Sequence, residues 1–134
     1  MNISKFTQKS IQAVQDLEKV AYEYGNQEVE QEHLLYALLT QEDSLILKLI
    51  EKMEINKDYF INVVKKALDA KVKVSGGDLR FGQYLNKSLV NAENEAKAMG
   101  DEYVSVEHLF LSLLTQPSPS MKKIFNEFGI TRER

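Results

Sequence analysis

Two Glu-His dipeptides, Glu32-His33 and Glu107-His108, are the side chains of this 134-residue sequence best equipped for chemistry. A carboxylate beside an imidazole suits a metal ion or a general acid–base pair. Adjacent helical residues point about 100° apart, however, so such a pair grips one ion poorly. A di-iron bundle needs Glu-x-x-His on two helices. Glu30-x-x-His33 fits that pattern, but its counterpart is Ser105-x-x-His108. The plainer reading is that the glutamates sit in first helical turns, where each favours the helix dipole by about 0.3–1 kcal/mol. Nucleophilic chemistry has no support either. There is no cysteine and no Gly-x-Ser-x-Gly elbow. No Gly-Lys dipeptide occurs, so a phosphate-cradling loop is missing. The sequence reads as non-catalytic, with no metal site and no cofactor of its own.

The elements that position these dipeptides form a repeat. Shifted by 75 residues, the sequence matches itself at fifteen of 52 positions across 6–57, without a gap. Phe6 meets Phe81, and Gly25 meets Gly100. Val29-x-x-Glu32-His33-Leu34 meets Val104-x-x-Glu107-His108-Leu109, and Leu38-Leu39-Thr40-Gln41 meets Leu113-Leu114-Thr115-Gln116. Each copy has helical periodicity. Ile11, Val14, Leu17, Ala21 and Tyr24 form one stripe, and Gly25 follows as a C-cap glycine should. Thr7 is a sound N-cap, and Gly82 is tolerated in its place. Second helices start near Glu30 and Ser105. Third helices carry Leu45, Ile46, Leu49, Ile50 and Met53, then Met121, Ile124, Phe125 and Phe128, with Ser118-Pro119 opening the second of these. A fourth helix, capped by Asn56, follows in copy one.

The expected fold is all-α: two tandem four-helix repeats about a pseudo-twofold axis, in one domain over 1–134. Repeat 1 covers about 1–70, a loop with Gly76-Gly77 covers 71–80, and repeat 2 covers about 81–134. Thr131 stands where Asn56 caps the fourth helix, so the last helix is expected to be truncated. No period-two strand pattern is seen.

Composition narrows the function. The net charge is -3, with 17 basic and 20 acidic residues, which argues against a nucleic-acid surface. The densest basic patch, Lys65, Lys66, Lys71 and Lys73, reads as a solvated helix end. Met1 to Gln8 lacks an apolar signal core, and Leu34 to Leu39 is too short to span a bilayer. A soluble, cytoplasmic protein without a membrane partner is expected.

The duplicated unit resembles the Clp N-terminal domain over essentially the whole chain. Phe6-Thr7, Gly25, Glu32-His33-Leu34, Gly100, Glu107-His108-Leu109 and the 75-residue spacing carry the match. Gly25 through Leu35 and Gly100 through Leu109 look closest to the ClpB type, whose N-domain precedes two ATPase modules. The resemblance implies a substrate-engaging domain of a hexameric, ATP- and Mg-dependent disaggregase of the stress response. Such a parent works with the DnaK chaperone system on unfolded or aggregated polypeptide, and the domain by itself is expected to be a monomer. It further implies that Thr7, Asp101 and Glu107 handle substrate and that Leu89 belongs to an apolar groove, with His108 at the neighbouring groove position.

The alternative is a ClpC-type N-domain binding adaptors or phosphoarginine-tagged proteins. There, a threonine at the first helix start and a glutamate at the second resemble a phosphoarginine cradle in each copy. Copy one retains Thr7 and Glu32. Copy two has Glu107, but Gly82 replaces the threonine, so at most one weak cradle is expected.

Overall fold

The computed structural model describes residues 3–132. After a 3₁₀ turn (Ile3–Lys5), copy one contains α1 (Gln8–Glu23), a two-residue strand β1 (Glu28–Val29), α2 (Gln31–Thr40), α3 (Leu45–Lys52) and α4 (Lys57–Asp69). Copy two contains β2 (Arg80–Phe81), α5 (Gln83–Ala98), α6 (Val106–Thr115) and α7 (Pro119–Phe128). The expected eighth helix falls partly on Glu133 and Arg134, which lie outside the described residues, as do Met1 and Asn2.

Local chemistry accounts for the helix ends. The side chains of Thr7, Ser44, Asn56 and Ser118 each accept from a backbone N–H in the first turn of α1, α3, α4 and α7, and Pro119 opens α7. Gly129 ends α7 in the left-handed region, at φ 65°. Its copy-one counterpart is Glu54, held at φ 63° although it has a Cβ. Glu54→Gly is therefore expected to raise stability by about 0.5–1 kcal/mol, the strain relieved outweighing the flexibility added to the unfolded chain. A denaturant midpoint that falls in this variant would contradict it.

The core lies around α2 and α6, which are apolar on more than one face. Leu34, Leu35, Leu38, Leu39, Leu109 and Leu113 are all buried. Within each copy the long first helix covers the second, α1 on α2 and α5 on α6. The copies are also interlocked, since α1 packs on α6 and α2 on α5.

Short parallel pairings, which the helical pattern did not anticipate, reinforce this exchange. β1 pairs with β2, with Val29 opposite Phe81, while Phe6 forms an isolated parallel bridge with Val104. Val29 and Val104 are repeat counterparts, as are Phe6 and Phe81. Each copy thus lends the segment before its first helix to the segment before the other copy's second helix. The N–H of Thr7 donates to the Val104 carbonyl (2.9 Å), and that of Gly82 to the Val29 carbonyl (2.8 Å). Extended pairs this short leave no detectable alternation in sequence.

Candidate functional site

The exchange brings the start of α1 against the start of α6. Between them lies an open depression of about 360 Å³, with Thr7 and Lys9 on one side, Val106 and Glu107 on the other, Asp43 from the α2–α3 connection and Leu45 from the first turn of α3. Thr7 Oγ1 accepts from the Ser10 N–H at 3.2 Å, which fixes the first turn of α1. Ser105 caps α6 through a capping box with His108. Val106 is buried, while Leu45 and Glu107 are exposed. Asp43 pairs with Lys48 at 2.7 Å, and that hydrogen bond and charge hold its carboxyl below the usual range. The Lys9 ammonium donates to the Glu42 carbonyl. The depression therefore offers an apolar patch, Leu45 and Val106, within a rim of mixed charge that includes Lys9, Asp43 and Glu107.

Thr7 and Glu107 meet here although they belong to different copies. That changes the expected pairing: the threonine of copy one does not face the glutamate of copy one, and any cradle of this kind is built across copies. Glu32 is not a surface site at all. It is 1% exposed, lies 3.3 Å from the Lys71 ammonium, and accepts from the Ser120 hydroxyl. Burial of a carboxylate requires such compensation.

Lys71 in turn lies 3.0 Å from Glu30, and only 14% of its side chain is exposed. It sits beyond the end of α4 and is not the solvated helix end expected from sequence. Lys73, although exposed, donates to the Tyr24 carbonyl and lies over the Tyr24 ring, 5.5 Å from its centroid. No local signal marks Lys71 as a largely covered, ion-paired cation, because its partners lie far away in the chain.

Leu89 requires a second correction. It is 2% exposed and belongs to the core cluster with Leu85, Ala92 and Leu109. The stripe Leu85-Leu89-Ala92-Ala96 is simply the inward face of α5, and the exposed apolar residue beside it is Val90, at 56%. His108 is likewise buried, so it presents no groove surface.

Both histidines are structural. The His33 Nδ1 accepts from the Glu30 N–H at 2.8 Å, which places the ring proton on Nε2, 2.9 Å from Asn26 Oδ1. The His108 Nδ1 accepts from the Ser105 N–H at 2.9 Å, and its Nε2 is 2.8 Å from Asp101 Oδ2. Asp101 therefore orients the histidine that caps α6 and does not line the Thr7–Glu107 depression. Among the described residues, no group of three or more ligating side chains could hold a metal ion. No helix there is long and apolar enough to cross a membrane.

The family described as the Clp repeat (R) N-terminal domain matches residues 5–128. The chaperone protein ClpB of Nitratidesulfovibrio vulgaris is 39% identical over 140 residues, covering 100% of this chain and 16% of that protein. ClpB of Clostridium tetani is also 39% identical, over 139 residues, with the same coverage. The chain thus spans about a sixth of the length of these relatives. In fold it is similar to the N-terminal domain of Hsp104 from Candida albicans, with a TM-score of 0.83 at 23% identity, covering 96% of this chain and 85% of the other. It is also similar in fold to a ClpV N-domain solved in complex with a VipB peptide, with a TM-score of 0.75 at 22% identity, covering 98% and 82%.

Proposed function

We propose that this chain, which belongs to the Clp repeat (R) N-terminal domain family, is the substrate-engaging domain of a ClpB-type, ATP-dependent disaggregase. The observation that carries this reading is the 39% identity to ClpB proteins across 100% of the chain. On this reading the domain is itself non-catalytic. The ATP and magnesium chemistry, the hexameric assembly and the dealings with the DnaK system belong to the rest of a cytoplasmic parent protein. The ClpC-type alternative is not favoured, because the matches across the whole chain at 39% identity are ClpB proteins.

The Thr7–Glu107 depression is the surface best suited to the task. Its apolar patch of Leu45 and Val106 accepts an apolar side chain, while Thr7 and the Glu107 and Asp43 carboxylates supply polar contacts to a passing backbone. So small a surface buries little area, and an unfolded chain loses conformational freedom on docking. Weak, sequence-tolerant binding follows, which suits a domain that must release what it catches.

NMR titration with permanently unfolded, reduced and carboxymethylated α-lactalbumin tests this. Amides from Thr7 to Lys9 and from Ser105 to Glu107 are expected to shift. The double variant Thr7→Ala, Glu107→Ala should weaken binding at least five-fold, with loss of the Thr7 cap costing about 1 kcal/mol of stability. Undiminished binding by a folded double variant, or no shifts in the native domain, would refute the assignment.

A further inference from the structure

The pseudo-twofold axis gives the Thr7–Glu107 depression a counterpart, and this chain's own side chains close it. A 75-residue shift carries Thr7 onto Gly82 at the start of α5 and Glu107 onto Glu32 in the first turn of α2. A hollow does lie between these helix starts, but it measures about 190 Å³. Three lining positions of the open depression, Gln41, Leu45 and Glu107, have counterparts that do not line the closed one: Gln116, Ser120 and Glu32. All three are engaged in internal contacts. The Ser120 hydroxyl donates to Glu32, Lys71 neutralises Glu32 from 3.3 Å, and the Gln116 carbonyl accepts from the Gln31 side chain at 3.0 Å.

Gln31 is the centre of this closure. Its Nε2 also donates to Ser88 Oγ at 2.8 Å, its Oε1 accepts from the Ser118 N–H at 2.8 Å, and it is 1% exposed. Its counterpart in the open depression is Val106, which can form none of these bonds. At the remaining corner a Cβ on Gly82 would meet the carboxylate end of Glu28 at 2.9 Å, which a rotation of that partly exposed side chain relieves, so this corner is covered only loosely. Among the described residues no ion pair reaches Glu107, whereas Glu32 is fully engaged.

We infer that the domain has a single polypeptide-binding depression, and that Gln31, with the Lys71–Glu32 pair, is a built-in plug that closes its symmetry mate. The inference rests on the reading that the open depression engages unfolded chain. One domain thus holds one segment, and any multivalent grip must come from several domains acting together.

The experiment is the same titration, read at both places. Carboxymethylated α-lactalbumin should shift amides of Thr7–Lys9 and Ser105–Glu107 while leaving Gly82–Tyr84 and Glu30–Glu32 unmoved. Shifts at both places overturn the single-site inference and leave the functional reading standing. Shifts at neither overturn both. Gln31→Val, which installs the residue of the open depression, should bring new shifts at Gly82–Tyr84. Lys71→Met, which takes the cation away from Glu32 and so favours release of that carboxylate to solvent, is the second route to the same opening should Gln31→Val not fold. A folded opening variant that stays silent at Gly82–Tyr84 would contradict the role of the plug.

Discussion

Leu89→Asp is expected to unfold the domain and not merely to blunt its binding. Leu89 is 2% exposed on the inner face of α5, against Leu85, Ala92 and the α6 leucines. Truncation of a buried leucine to alanine costs about 2–5 kcal/mol, and an unpaired carboxylate in the same place costs more. Domains of this size have about 5–15 kcal/mol in total, so the charged variant should lose most of its helical circular dichroism at 37 °C. Leu89→Ala should stay folded with a denaturant midpoint lowered by about 2–4 kcal/mol equivalent. Val90→Asp, one residue along but exposed, should change stability by less than about 0.5 kcal/mol. A Leu89→Asp protein that is folded and loses only its contacts with unfolded polypeptide would restore Leu89 to the binding surface.

The second large effect is expected on acidification. His33 is fully buried and tied at both ring nitrogens. Burial pushes its pKa down to about 4, and the nearby Lys71 charge adds to this, while Glu32 opposes it in part. An unfolded chain takes up the proton near 6.5. Between those values the unfolded state binds more protons, so stability is complete above about pH 6.5 and is lost as pH falls toward 4. At 1.36 kcal/mol per unit, the full loss is about 3 kcal/mol, of which about 2 kcal/mol should be visible by pH 5, before most carboxylates titrate.

Protonation at Nδ1 would also break the bond that receives the Glu30 N–H, so the loss should begin at the start of α2. Urea midpoints at several pH values measure it. His33→Gln, whose amide oxygen can still accept from Glu30, should flatten the curve between pH 7 and 5. A native midpoint unchanged across that range, or a His33 ring titrating near 6.5 by NMR, would dispose of the prediction.

Much of the architecture was legible because it is encoded over short distances. The caps at Thr7, Asn56 and Ser118, the proline at 119 and the 3.6-residue stripes each depend on neighbours within a turn or two. The repeat was legible too, since fifteen identities in 52 positions survive divergence of the copies. The starts of the second helices near Glu30 and Ser105 were legible as well, and each is closed by a capping box with His33 or His108. The same reasoning went astray wherever a residue's meaning depended on a distant partner. Glu32 and Glu107 occupy the same place in the repeat, yet one is buried against Lys71 and the other is exposed.

By itself, then, the sequence determined the helices, their caps, the duplication and hence the pseudo-twofold all-α fold, because those follow from periodicity and first-turn hydrogen bonding. Only the tertiary structure decided which helix starts face each other. A 75-residue repeat is equally compatible with pairing inside a copy and with exchange between copies, and the Phe6–Val104 and Val29–Phe81 bridges select the exchange. The tertiary structure alone also decided that Leu89 belongs to the core and Glu32 to a buried ion pair. An apolar stripe marks the face of a helix that turns inward, but how deeply each member is covered depends on the helices packed over it.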